Sequence, residues 1–150
     1  MSPRSQSRLH AAAIRCIELQ QVDERAVSAM ARAVSEGGFI TRAEAEDLMR
    51  IERDVAETCE GWRDFFVVTM VAHLVWECRP AGRVAPADIV WLAGQLGQPR
   101  PGAAAVLGEF MVELVREASD SAEALVELAF AENRAPRSVL CGREVIARAA

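Results

Sequence analysis

The residues able to do acid–base, nucleophilic or metal chemistry are few in kind: two histidines, four cysteines and 22 acidic side chains, with all 17 basic residues arginine and no tyrosine. His73 is the most informative of them. It lies within "FFVVTMVAHLVWEC", Phe65 to Cys78, on one stripe with Trp62, Phe66, Thr69 and Trp76 at helical spacing. A histidine so placed is either a core residue hydrogen-bonded to Thr69 or backbone, or one wall of a polar pocket. Glu77, four residues on, shares its face and makes with it the start of a two-ligand metal set. Cys78, five residues on, falls roughly 140° around an α-helix, so the spacing predicts that His73 and Cys78 face apart. His10 reads as a surface residue of the first helix.

A second candidate is "SEGGFITRAEAEDLM", Ser35 to Met49, which has the offsets of a calcium-binding EF-hand loop if Gly38 is its sixth position: Ile40 then falls at the eighth and Glu44 at the twelfth. Its first, third and fifth positions are Ala33, Ser35 and Gly37, where a calcium site needs oxygen donors. Glu44 therefore reads first as the partner of Thr41 in a capping box at a helix start. "GRVAPADIVWL" from Gly82 echoes "GFITRAEAEDL" from Gly38, with Asp88 standing where Glu44 stands, and suggests a duplicated helix-turn-helix unit with degenerate EF-hand-like turns. Glu44, Asp88, His73 and Glu77 are the candidate metal ligands, and a divalent cation is the cofactor they would take.

The inventory also excludes chemistry. Without lysine there is no Schiff-base mechanism and no phosphate-binding loop of the Walker type. Cys16, Cys59, Cys78 and Cys141 stand far apart with no C-x-x-C pair, which predicts reduced thiols in a cytoplasmic protein rather than a zinc framework or a disulfide scaffold. A net charge of −5 and a pI near 5.1 oppose nucleic-acid binding. The longest apolar run, Phe65 to Trp76, is well short of the roughly 20 residues that span a bilayer.

The elements that must position these residues are helices. Ala, Leu, Glu and Arg abound and runs of β-branched residues are scarce, which predicts an all-α, compact bundle of about six to eight helices. Residues 1–7 read as a flexible leader and 8–150 as a single helical domain. Helices are expected from Arg8 to Gln20, from an Asp23 cap to the Gly37-Gly38 pair, and from a Thr41 cap to about Glu57. The central helix, Trp62 to Cys78, is apolar almost all round, as a buried helix is. Pro86 opens a short helix to Leu96, and "GQPRPG" from Gly97 punctuates the chain. Further helices are expected over 103–118, from an Asp120 cap to Glu132, and from Pro136 onward.

A glycine, an aliphatic residue, a cap and an acidic helix start, repeated in an all-helical chain, resemble the tellurite-resistance TerB-like helical domains. "WRDFFVVTMVAHLVWECRPAGRV", Trp62 to Val84, also looks like a segment of an uncharacterised family of small helical bacterial proteins. The resemblance implies a compact bundle and divalent-cation binding by acids at the capped turns; it implies no known reaction. This chain has Glu36-Gly37 and Ala81 where the family pattern favours an aspartate before the glycine.

Three functions follow in order. The first is a non-enzymatic binding or regulatory module acting through a protein partner or self-association, for which Trp62, Phe66, Trp76 and Trp91 are candidate partner-binding residues if they line a groove rather than the core. The second is a divalent-cation-binding, TerB-like stress-response module. A metal-dependent enzyme using His73 with Glu77, Asp64 or an acid from another helix is a distant third.

Overall fold

The computed structural model of the chain describes residues 7–97, 104–119 and 122–133. Seven helices appear among them: α1 (Arg8–Leu19), α2 (Glu24–Gly37), α3 (Arg42–Asp54), α4 (Glu60–Val71), α5 (Pro86–Leu96), α6 (Ala104–Glu117) and α7 (123–133). The bundle is all-α apart from two residue pairs that form a parallel bridge, β1 (Gln21–Val22) with β2 (Glu57–Thr58). No helix among the described residues is long and apolar enough to cross a membrane. The Asp120 cap, the helix expected from Pro136 and Cys141 lie outside the described residues, as do the leader before Ser7 and the linker after Gly97.

Local chemistry sets the helix ends. Asp23 caps α2 by accepting from the Ala26 N–H at 2.8 Å. Thr41 and Glu44 form the reciprocal capping box at the start of α3. Pro86 occupies the first turn of α5, where a missing N–H costs nothing. α3 stops at Asp54, before the expected Glu57, because Val55 turns extended and leads the chain into β2. The bridge fastens the α1/α2 turn to the α3/α4 turn, and the Cys59 N–H continues it by donating to the Val22 carbonyl at 2.9 Å.

The echo between the two glycine turns is conformational as well as textual. Gly38 and Gly82 take φ of +77° and +83°, a region costly for side-chain-bearing residues. Each is followed two residues later by a buried aliphatic, Ile40 or Val84, and ten later by a fully buried leucine, Leu48 or Leu92. The supposed EF-hand positions Ala33, Ser35 and Gly37 belong to α2, so their carbonyls are in helix rather than in a loop. Only Gly38 to Thr41 is turn.

The core is centred on α4. Trp62, Phe66 and Met70 are fully buried there, as is Leu74 just beyond it, and Phe66 meets Phe110 of α6 edge-on at 5.6 Å. Burying each such side chain is worth about 1.5–3 kcal/mol. α1 lays Leu9, Ala13 and Cys16, at spacings of four and three, against α2 and α3. The helix expected to run evenly to Cys78 changes pitch instead: after Val71 it continues as a π-helical turn, Ala72–Glu77.

Candidate functional site

The π-helical turn creates the most concentrated chemistry in the described chain. In an α-helix the fifth residue on points away, but a π-turn bonds residue i to i+5 and stacks the two. The Cys78 N–H accordingly donates to the His73 carbonyl at 3.0 Å. His73 and Cys78, expected to face apart, therefore meet: Sγ lies 3.9 Å from Nε2. On the other side of the ring, Nδ1 is 3.2 Å from Oε2 of Glu77, the pairing that the four-residue spacing predicts. A carboxylate against Nδ1 places a proton on that nitrogen and turns Nε2 toward sulfur. The same Oε2 accepts from the Ile40 N–H at 3.1 Å, so the Gly38 turn and the π-turn are tied through one oxygen.

Arg42, the first residue of α3, closes the cluster. Its Nη2 is 3.9 Å from Cys78 Sγ and is also hydrogen-bonded to the Asp88 carboxylate at the start of α5. The guanidinium lies 4.2 Å above the Trp91 ring, whose Nε1 donates to Glu46 at 3.1 Å. Arg42 Nη1 is buried without a hydrogen-bond partner. The acid of the second turn thus meets the arginine that follows the first cap, so the two echoed turns pack through this ion pair. Burial pushes the Cys78 thiol up, Asp88 and Glu77 add to the shift, and Arg42 opposes it.

The four candidate metal ligands separate into distinct settings. His73 and Glu77 touch, Asp88 is across Cys78 on Arg42, and Glu44 is elsewhere on the cap of Thr41. Among the described residues, no group of three or more His, Cys, Asp or Glu side chains is arranged to hold a metal ion. Burial would raise the Glu44 carboxyl, but hydrogen bonds from Ser7 and from the N–H and hydroxyl of Thr41, with His10 nearby, outweigh it and hold Glu44 below the ordinary glutamate value. His10 is half-exposed rather than free on the surface, with Nδ1 2.6 Å from the buried Asp47.

Of the four aromatic candidates, two are corrected by burial. Trp62 and Phe66 are both 0 % exposed, packed on each other and on Phe110, and offer nothing to a partner. The Trp62 indole is spoken for as well, donating to the buried Glu52 at 2.6 Å. Trp91 is half-buried beneath Arg42. Trp76, expected on the buried stripe with His73, is instead 53 % exposed, because the change of pitch turns it away from that stripe. Val68 on the same helix is 68 % exposed, and Ala72 between them is half-buried.

Sequence reasoning passed over Arg42, Asp47 and Glu52, and on α-helical spacing it set His73 and Cys78 facing apart where the π-turn brings them together. Arg42 carried a signal, since a cation in the first turn opposes the helix dipole and asks for an acid nearby. Asp47 and Glu52 also carried one, for each stands four residues from an apolar core position, Ile51 and Leu48 respectively. Comparison with protein-family models, with curated proteins and with solved structures finds no match to this chain.

Proposed function

We propose that the chain is a non-enzymatic, helical binding module that meets a protein partner, or a second copy of itself, through the outer flank of its central helix. The observation that supports this is the stripe Val68, Ala72 and Trp76. A helix apolar almost all round is a helix buried all round. This one buries Trp62, Phe66, Met70 and Leu74 inward yet leaves Val68 and Trp76 more than half exposed. An exposed tryptophan in line with an exposed valine is the composition of an interface centre, where aromatic anchors carry much of the binding energy. The rigid turn beneath, fixed by the Ile40–Glu77 hydrogen bond and the Arg42–Asp88 pair, holds Trp76 in place before binding.

The test is the pair of substitutions Val68→Glu and Trp76→Glu. Val68 is largely exposed and Trp76 about half, so a circular-dichroism melt of each variant first checks that the fold is kept. Sedimentation velocity over a wide concentration range reads self-association, and cross-linked capture from the native cell extract reads other partners. The reading requires at least one association of the wild-type chain that the double variant loses and a Val90→Glu control retains. An unchanged set of associations in the double variant would remove this face as the contact surface.

A further inference from the structure

We propose that Cys78 is a reactive thiol that forms a mixed disulfide with low-molecular-weight disulfides, with His73 as its general base and Glu77 positioning His73. The order of groups is that of an activated nucleophile: sulfur to Nε2 at 3.9 Å, Nδ1 to a carboxylate oxygen at 3.2 Å, and that oxygen anchored by the Ile40 N–H at 3.1 Å. His73 is 5 % exposed, so its ring is held by packing, while Cys78 is half-buried. Arg42 supplies the fourth part. Its Nη2, paired with Asp88, also stands 3.9 Å from sulfur, so a cation lies beside the place where negative charge develops.

The step balances without any reagent beyond the disulfide. Nε2 of His73 takes the thiol proton as Sγ attacks one sulfur of R–S–S–R. The Sγ–S bond forms, the S–S bond breaks, and the departing thiolate leaves with the electron pair and recovers the proton from Nε2. Cys78 is oxidised to the disulfide level, one R–S unit is reduced to R–SH, and nothing is turned over, so the reaction modifies the protein rather than making it an enzyme. Burial raises the Cys78 thiol, so its reactivity rests on the neighbouring base at Nε2 and not on a lowered pKa. The π-turn is what makes the site, because an α-helix would send the two side chains apart.

The test uses the full-length protein and glutathione disulfide, with peptide-resolved mass spectrometry following Cys78 and Cys59 in the same molecules. Cys59 is the internal reference, half-buried like Cys78 but with no histidine contact among the described residues. Cys78 should react at least about tenfold faster than Cys59 in the wild type, and His73→Gln should remove that advantage while leaving Cys59 unchanged. Between about pH 6 and 9 the Cys78 rate should climb less steeply than the tenfold per unit of an unassisted thiol. Glu77→Gln should steepen it towards that slope. The titratable and charged groups facing sulfur are His73 and Glu77 of the preceding π-turn, Arg42 from α3 and Asp88 from α5. A wild-type Cys78 no faster than Cys59, or one that follows the unassisted slope, overturns the proposal even if His73→Gln fails to fold. A folded His73→Gln protein with an undiminished Cys78 rate overturns it too.

Discussion

Replacing Glu77 by alanine removes one oxygen that serves two buried donors. Oε2 accepts from the Ile40 N–H at 3.1 Å and lies 3.2 Å from His73 Nδ1; Ile40 and His73 are each 5 % exposed. A buried donor stripped of its acceptor costs about 1–3 kcal/mol, because its bond to water in the unfolded chain is not replaced. Two such donors would give about 2–6 kcal/mol, and the Glu77 side chain, 13 % exposed, sits close enough to the surface for water to recover part of it. We expect a loss of about 2–4 kcal/mol for Glu77→Ala and about 1 kcal/mol for Glu77→Gln, which keeps one carbonyl oxygen as acceptor. Urea unfolding followed by far-ultraviolet circular dichroism measures both, provided the slope against denaturant stays that of the wild type. A Glu77→Ala protein within about 0.5 kcal/mol of wild type would refute the reasoning, since surface substitutions without a structural role fall in that range. A Glu77→Gln protein as unstable as Glu77→Ala would do so as well.

Three further outcomes are expected. Trp62→Phe should cost about 1–3 kcal/mol in the same urea assay, because the buried Glu52 carboxyl loses the indole donor, and a neutral substitution would mean that this carboxyl is satisfied otherwise. Glu44 is held below 4.5 when folded, so its ionised form stabilises the fold above that pH, and the contribution disappears as pH falls through the lowered value. The melting-temperature gap between wild type and Glu44→Gln should therefore be widest at neutral pH and close in acid; a gap that widens in acid has the wrong sign. Gly82→Ala should destabilise by about 1–2 kcal/mol because φ is +83° there, whereas Gly94→Ala, inside α5 with open space at the Cβ position, should stabilise slightly.

The helix starts were legible in the sequence because capping is local: Thr41 needs only Glu44 three residues on, and Asp23 only the N–H of Ala26. The Gly38 and Gly82 turns were legible for the same reason, their positive φ being written in the residue type. The π-turn was not. "AHLVWE" has no proline, glycine or polar break to mark it, so an α-helical stripe is the natural extrapolation, and that stripe puts Trp76 inside and Cys78 away from His73. The aromatic candidates failed differently. Core and groove use the same residues at the same spacing, so Trp62 and Phe66 could be told from Trp76 only by what packs against them. The partners of Arg42 lie 36, 46 and 49 positions along the chain, in Cys78, Asp88 and Trp91, and no local pattern reaches that far.

The account depends most on Trp76 standing open on the central helix while Trp62 is sealed beneath it. Acrylamide quenching of tryptophan fluorescence reads this directly when wild type, Trp62→Phe and Trp76→Phe proteins are compared at a concentration where the chain is monomeric. The structure requires that Trp76→Phe lower the quenchable emission, leaving that of the half-buried Trp91, and that Trp62→Phe leave it in place. If Trp76→Phe leaves the quenchable fraction unchanged, the flank is already covered in the free chain and cannot be the surface that meets a partner.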